Sequence, residues 1–248
     1  MTLSIDELTY ADVAKTIDHS LLRPELDDAF IEDGCRLAAE YDVASVCVRP
    51  ADVTHAAAIL RDTNVAVGTT VGFPHGNHLT ATKVFEAERA LAAGATELDM
   101  VIAIGALKSG RDADVQSDIA AVVDVAHAAG AIVKVILENA YLTDDEKVRG
   151  CQLAEAAGAD FVKTSTGYAP SGATHEDLAL MRRSVSPHIG VKAAGGVRTL
   201  DALLAVMALG ITRVGATQTK AMLEDFKARK AGARAPAGAG SSPGGGDR

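Results

Sequence analysis

The sequence predicts an α/β protein folded as a single (β/α)8 TIM barrel. Three observations predict it. A junction recurs along the chain, in which a small residue and a glycine are followed within a few residues by a short run rich in β-branched side chains. These runs alternate with stretches of helical periodicity, eight units in 248 residues, close to the ~250 residues usual for the closed barrel. No G-x-G-x-x-G is present, whereas the runner-up, an open doubly wound sheet, usually carries such a Gly-rich first turn.

The elements follow in order. A short, weak first strand is expected at 16–19, then strands at 45–48 and 65–71. Ala93-Gly94-Ala95 precedes a strand at Glu97-Leu98-Asp99-Met100-Val101. Val115, Ile119, Val122 and Ala126 then recur at helical spacing. Ala129-Gly130-Ala131 precedes a strand at 133–137, and Thr143 and Glu146 have the spacing of a capping box before the next helix. Ala157-Gly158-Ala159 precedes a strand at 161–164; a further strand is read at 190–193; Leu209-Gly210-Ile211 precedes the last, at 213–215. Glycine ends a helix because it adopts the left-handed conformation without a Cβ penalty. Short, β-branched runs suit parallel strands buried on both faces. Residues 1–228 are expected to form the barrel. The tail, 229–248, is Ala, Gly, Pro and Ser-rich and is expected to be disordered, having little apolar surface to bury.

Composition narrows the function. Hydrophobic residues make up 48% but aromatics only 4%, so the core must be Ala, Val, Ile and Leu. Lys and Arg number 24 against 33 Asp and Glu, a net charge of −9, which disfavours nucleic acid and anionic membranes as partners. No apolar run reaches the ~18 residues of a membrane span, and residues 1–8 lack the basic n-region of a secretory signal. Cys35, Cys47 and Cys151 are scattered and odd in number. They suggest neither a disulfide framework nor a zinc site, and a reduced cytoplasm fits best.

Charged residues inside barrel strands are the informative ones. Lys163 stands between Phe161-Val162 and Thr164-Ser165, Lys192 between Val191 and Ala193, and Asp99 between Leu98 and Met100, each in a predicted strand. A buried ammonium is costly, so such a lysine is either paired or depressed in pKa. Asp99 and Lys163 each follow their junction glycine by five positions, which predicts equal depth and facing at the catalytic, C-terminal end of the barrel. A second cation beside a lysine disfavours its protonation and leaves an amine able to attack an aldehyde; a carboxylate nearby can move protons. A purely structural Lys–Asp pair is the competing reading. Lys134 follows Gly130 by four, so strict register turns it away from Lys163; a one-residue difference in the loop would reverse that. Gly195, Gly196, Val197 and Arg198 follow the Lys192 strand, and Gly215, Ala216 and Thr217 end the next. Phosphate sites in barrels often form after strands seven and eight, where backbone N–H groups can approach an anion. His75 and His78 form H-x-x-H without a third ligand nearby, a weak metal signal.

The sequence resembles the deoxyribose-phosphate aldolases. The segments that carry the resemblance are Ile17-Asp18-His19-Ser20-Leu21-Leu22, Val46-Cys47-Val48 with Pro50, and Gly72-Phe73-Pro74-His75-Gly76. Glu97-Leu98-Asp99-Met100-Val101, Lys134-Val135-Ile136, Phe161-Val162-Lys163-Thr164-Ser165-Thr166-Gly167 and Val191-Lys192-Ala193-Ala194-Gly195-Gly196-Val197-Arg198 continue it. Together they span residues 16 to about 217. The resemblance implies a lyase, a class I aldolase that cleaves 2-deoxy-D-ribose 5-phosphate reversibly to D-glyceraldehyde 3-phosphate and acetaldehyde. Lys163 would form the Schiff base, Lys192 would be the second lysine and Asp99 the proton shuttle. Asp18, Ser20, Cys47, Lys134, Thr166 and Gly167 would surround the substrate. No cofactor or metal is implied, because the imine is the electron sink. A cytoplasmic homodimer or larger homo-oligomer serving deoxyribonucleotide catabolism is also implied. Two departures stand out. Ala216-Thr217-Gln218-Thr219 replaces a Ser-containing run, and no tyrosine follows Tyr168, whereas some members end in a tyrosine that reaches the site. Three other readings compete: a Schiff-base lyase for another phosphorylated sugar, a phosphosugar-binding protein without activity, and a metal-dependent aldolase using His75 and His78.

Overall fold

The computed structural model describes residues 3–232. Eight parallel strands close in sequence order into a barrel. They are β1 (Ile17–Leu21), β2 (Ser45–Val48), β3 (Ala66–Val71), β4 (Glu97–Val101), β5 (Ile132–Ile136), β6 (Phe161–Lys163), β7 (Gly190–Ala194) and β8 (Arg213–Ala216). The helices are α1 (Tyr10–Ala14), α2 (Asp28–Glu40), α3 (Val53–Leu60), α4 (Thr80–Ala92), α5 (Ile104–Lys108), α6 (Asp112–Ala128), α7 (Asp144–Ala156), α8 (His175–Ser184), α9 (Leu200–Met207) and α10 (Thr219–Lys230). The junction glycines 94, 130, 158 and 210 all take positive φ. The capping box of Thr143 and Glu146 is formed at the start of α7.

Two expectations need correction. The first strand is not confined to 16–19; it runs to Leu21 and pairs with both β2 and β8. The barrel unit also does not stop at 228. Helix α10 continues to Lys230, whose ammonium donates to the carbonyls of Ile5, Asp6 and Leu8, while Arg229 pairs with Asp201 and Asp225. The rest of the expected disordered tail, 233–248, lies outside the described residues.

The ladder registers assign each strand an inner and an outer face. In parallel sheets paired residues point the same way, so one known inward residue per strand fixes the rest. Apart from His19 and Thr69 the outward set is apolar: Ile17, Leu21, Val46, Val48, Val67, Leu98, Met100, Val133, Val135, Val162, Val191 and Val214 are all buried against the helices. Ile31, Cys35, Ile119, Val122, Leu203 and Leu223 meet them from the helical layer. At about 25 cal/mol per Å2 of apolar area removed from water, this shell is the main source of stability.

The inward set is different. It includes Asp18, Cys47, Glu97, Asp99, Lys134, Lys163, Lys192 and Arg213. In a barrel of this kind alternate strands contribute to one layer. Here one layer is Ser45, Glu97, Phe161 and Arg213; above it lie Asp18, Gly68, Lys134 and Lys192, and then Cys47, Asp99, Lys163 and Gly215. The lowest of these layers closes the floor. The Arg213 guanidinium lies 5.9 Å from the Phe161 ring centroid, and Gly190 admits that ring, since a Cβ there would come within 2.1 Å of it.

A second buried charge pair braces the shell. Lys83 on α4 is fully buried and donates to Val101 O at 2.9 Å and Asp118 Oδ2 at 2.5 Å, while Thr80 Oγ1 donates to Asp118 Oδ1 at 2.8 Å. The pair ties α4 and α6 to the end of β4. Asp118→Ala leaves the ammonium unpaired and is expected to cost about 3–5 kcal/mol of unfolding free energy. Urea denaturation checks this, and a loss below about 1 kcal/mol would contradict a paired, buried lysine.

Candidate active site

Beyond the C-terminal ends of the strands a cavity of about 470 Å3 opens, within the ~300–1,000 Å3 of small-molecule sites. Of the residues singled out in the sequence, Asp18, Ser20, Cys47, Lys163, Thr166, Gly167, Lys192, Gly195, Gly196, Val197, Arg198, Gly215, Ala216 and Thr217 all line it. Asp99 and Lys134 do not line it. They are buried behind its wall, Asp99 in contact with Lys163 and Lys192, and Lys134 in contact with Asp99.

The equal offsets of Asp99 and Lys163 do mean equal depth: the registers place the two in one layer, two strands apart. The register reading of Lys134 is corrected. Strand β5 starts two residues after Gly130, whereas β4 and β6 start three after Gly94 and Gly158. The shorter loop pairs Lys134 with Asp99 and turns it inward. Its ammonium donates to Glu97 Oε2 at 2.5 Å and Asp99 Oδ1 at 2.9 Å.

Asp99 is the hub. Its Oδ2 accepts from Lys163 Nζ at 2.6 Å and from Lys192 Nζ at 2.7 Å. Lys192 Nζ also lies 2.6 Å from Asp18 Oδ2. Arg213 sits below, its Nε donating to Asp18 Oδ1 at 2.6 Å and its Nη2 to Glu97 Oε2 at 2.6 Å.

These contacts set the protonation states. Burial pushes the Lys163 ammonium below the ordinary lysine range against the pull of Asp99, and the Lys192 charge pushes it the same way. Burial also penalises the charge of Lys192, but Asp18 and Asp99 outweigh it and hold that ammonium above the ordinary range. Lys134 behaves likewise: burial opposes its charge, and Asp18, Asp99 and Glu97 overcome it. Burial would raise the Asp99 carboxyl, yet Lys134, Lys163 and Lys192 hold it well below the usual carboxylate range. The Cys47 thiol is pushed up to about 11, chiefly by burial, so it stays protonated at neutral pH. Of the two lysines that reach the cavity, Lys163 alone is shifted toward the free amine.

The far wall suits an anion. Gly195 (φ 81°) and Gly196 (φ 100°) take the left-handed region that favours glycine, and Arg198 follows on the same loop. The Gly196 and Val197 amides make no hydrogen bond among the described residues. They are thus available to an oxyanion.

Sequence reading missed Arg23, Glu25 and Tyr168 on the rim. Tyr168 Oη donates to Leu22 O at 2.9 Å and its ring stands edge-on to Phe73 at 5.4 Å. Arg49 Nη1 donates to Arg23 O and Pro24 O. The longer β1 brings this rim within reach of the cavity. Glu97 and Arg213, the first residues of β4 and β8, were also missed as members of the site. His75 and His78 are exposed, and no group of three His, Cys, Asp or Glu side chains placed to hold a metal occurs among the described residues.

Comparisons with known proteins agree with this geometry. The family profile of the DeoC/LacD family aldolases matches residues 13–232. A deoxyribose-phosphate aldolase of Geobacillus sp. (strain WCH70) is 51% identical over 213 residues, covering 86% of this chain and 95% of its own length. One from Rhodopirellula baltica is 50% identical over 218 residues, covering 88% of this chain and 90% of its own. The solved tetrameric deoxyribose phosphate aldolase of Aeropyrum pernix superposes with a TM-score of 0.83 at 30% identity, covering 91% of this chain and 95% of that one.

Proposed function

Since the chain belongs to the DeoC/LacD family of aldolases, we propose how its residues divide the work of cleaving 2-deoxy-D-ribose 5-phosphate reversibly to D-glyceraldehyde 3-phosphate and acetaldehyde. The observation that carries the proposal is the balance of charge in the barrel. Four basic groups, Lys134, Lys163, Lys192 and Arg213, face three carboxylates, Asp18, Glu97 and Asp99. Neutrality in a buried site requires one base to give up its proton. Lys163 is the one held below its ordinary range.

Lys163 Nζ attacks the C1 aldehyde of the open-chain sugar, and loss of water, with one proton delivered from the Lys192 ammonium by way of Asp99, gives a protonated imine. Removal of the C3 hydroxyl proton, assisted by Asp99 directly or through water, breaks the C2–C3 bond. The bonding pair passes into the imine as an enamine, and glyceraldehyde 3-phosphate leaves. Protonation of the enamine carbon and hydrolysis of the imine then release acetaldehyde and the free amine. Asp99 acts as a relay, because one oxygen bridges Lys163 and Lys192 while three lysines keep its carboxyl from retaining a proton. Lys192 is the acid that supplies this relay. Asp18, Ser20, Cys47 and Thr166 wall the sugar, and Lys134 holds Asp99 from below. The phosphate takes the loops of Gly167, Gly195–Arg198 and Gly215–Thr217. Activity requires the neutral amine, so the rate falls as pH drops through the lowered Lys163 pKa.

The phosphate assignment predicts a clear split. Release of acetaldehyde, followed with alcohol dehydrogenase and NADH, is expected with 2-deoxyribose 5-phosphate. 2-Deoxyribose without the phosphate should show a kcat/KM lower by at least about 100-fold, the effect of losing two or three charge-assisted hydrogen bonds. Arg198→Ala should raise KM for the phosphorylated sugar and leave the unphosphorylated one unchanged. Equal kcat/KM for the two sugars would overturn the phosphate assignment, and no acetaldehyde from either would overturn the cleavage reaction.

The proposed partners are the phosphorylated sugar and acetaldehyde, in a cytoplasmic homodimer or larger homo-oligomer. Among the described residues no helix is long and apolar enough to cross a membrane.

A further inference from the structure

The inward charges below the cavity form a closed figure. Followed by contact, they run Arg213, Asp18, Lys192, Asp99, Lys134, Glu97 and back to Arg213. The signs alternate at every step, three cations with three anions. Contributions come from β8, β1, β7, β4 and β5. Lys163 hangs from Asp99 outside this ring. The remaining titratable group facing the hub, Cys47 on β2, stays a neutral thiol.

We propose that Arg213 is a positioning residue of the reaction: its guanidinium closes the ring, and the neutrality of the closed ring is what leaves Lys163 as a free amine. The inference rests on the reading of Lys163 as the nucleophile and extends it to residues that never reach the substrate. Arg213 does not line the cavity. It suits the task because a guanidinium stays charged at any working pH and its fork can hold two carboxylates at once. Its contacts of 2.6 Å to Asp18 and 2.6 Å to Glu97 use that fork. A lysine in its place would keep the charge without spanning both carboxylates in that geometry.

Opening the ring has a defined consequence. Without Arg213, three carboxylates face three lysines, and the balanced state is the one in which Lys163 carries a proton. The amine must then be regained at higher pH. Removing the Glu97 charge does the reverse, leaving a ring with one cation in excess. Removing both restores balance, with Asp18 and Asp99 against Lys134 and Lys192.

The test is the pH profile of kcat/KM for cleavage of 2-deoxyribose 5-phosphate by the wild type, Arg213→Met, Glu97→Gln and the double variant. This profile reports groups of the free enzyme. Arg213→Met is expected to move the acid limb up by about one pH unit or more, about a tenfold loss on that limb. Glu97→Gln is expected to move it down, and the double variant to return it to the wild-type position. A residue that merely supported the fold would make the double variant worse than either single one. An Arg213→Met limb that superimposes on the wild type, or a double variant shifted further than Arg213→Met, overturns the proposal. If Arg213→Met does not fold, Glu97→Gln decides alone, and a limb that stays put or rises overturns the proposal. Borohydride trapping on the wild type separates the two levels. No adduct on Lys163 there means that the nucleophile reading has failed, whereas an adduct with unmoved profiles means that only the ring has.

Discussion

Replacing Lys163 by alanine is expected to lower kcat for 2-deoxyribose 5-phosphate cleavage by at least about four orders of magnitude, the scale of removing a covalent nucleophile. No other amine can take over. Lys192 is the neighbouring rung on β7 and also reaches the cavity, but Asp18 and Asp99 hold it as an ammonium. Lys134 lies under the floor and is held charged by three carboxylates. Lys163→Arg should be equally inactive, because a guanidinium does not give up its proton. The fold should survive the alanine change. Lys163 stands outside the ring of alternating charges, so its loss leaves every other ion pair in place. Steady-state assay of both variants and urea denaturation of Lys163→Ala check these expectations. A Lys163→Ala enzyme within about a hundredfold of the wild type would contradict the assignment.

Asp99→Asn is expected to be nearly as damaging to turnover and far more damaging to stability. The loss in kcat should be about 100- to 10,000-fold, the range of positioned acid–base groups. The shape is nearly retained, but the only anion touching Lys134, Lys163 and Lys192 together is gone. Three buried amines then crowd a neutral amide, and removing one partner of a buried ion pair costs about 3–5 kcal/mol. The cationic excess disfavours protonation of Lys163 further, so imine formation should extend to lower pH while proton transfer slows. The expected signature is thus a fall in kcat with little change in KM and an acid limb moved down. A kcat within tenfold of the wild type, or unchanged urea stability, would contradict the hub role of Asp99.

Much of this was legible in the sequence, for physical reasons. The junction glycines mark helix ends because few other residues take positive φ cheaply, and four of them gave the spacing of the strands that follow. Lys163, Lys192 and Asp99 stood out because charge within a buried strand is expensive and needs a purpose. Lys134 misled because facing in a strand alternates with every residue, and one residue fewer between Gly130 and β5 inverts the prediction. Glu97 and Arg213 were passed over because they begin their strands, where a charged residue commonly meets solvent. In this barrel those starts point inward, into the layer with Phe161. The rim of Arg23, Glu25 and Tyr168 was hidden by the short first strand, since nothing local at Ser20 and Leu21 indicates their pairing with Cys47 and Val48 of β2.

The most direct measurement is intact-mass spectrometry after borohydride reduction with 2-deoxyribose 5-phosphate, on the wild type and Lys163→Ala. The predicted result is a substrate-dependent adduct on the wild type alone, mapped by peptide digestion to Lys163. An adduct of equal yield on Lys163→Ala, or none on the wild type with the substrate shown to be intact, would contradict the Schiff-base role of Lys163.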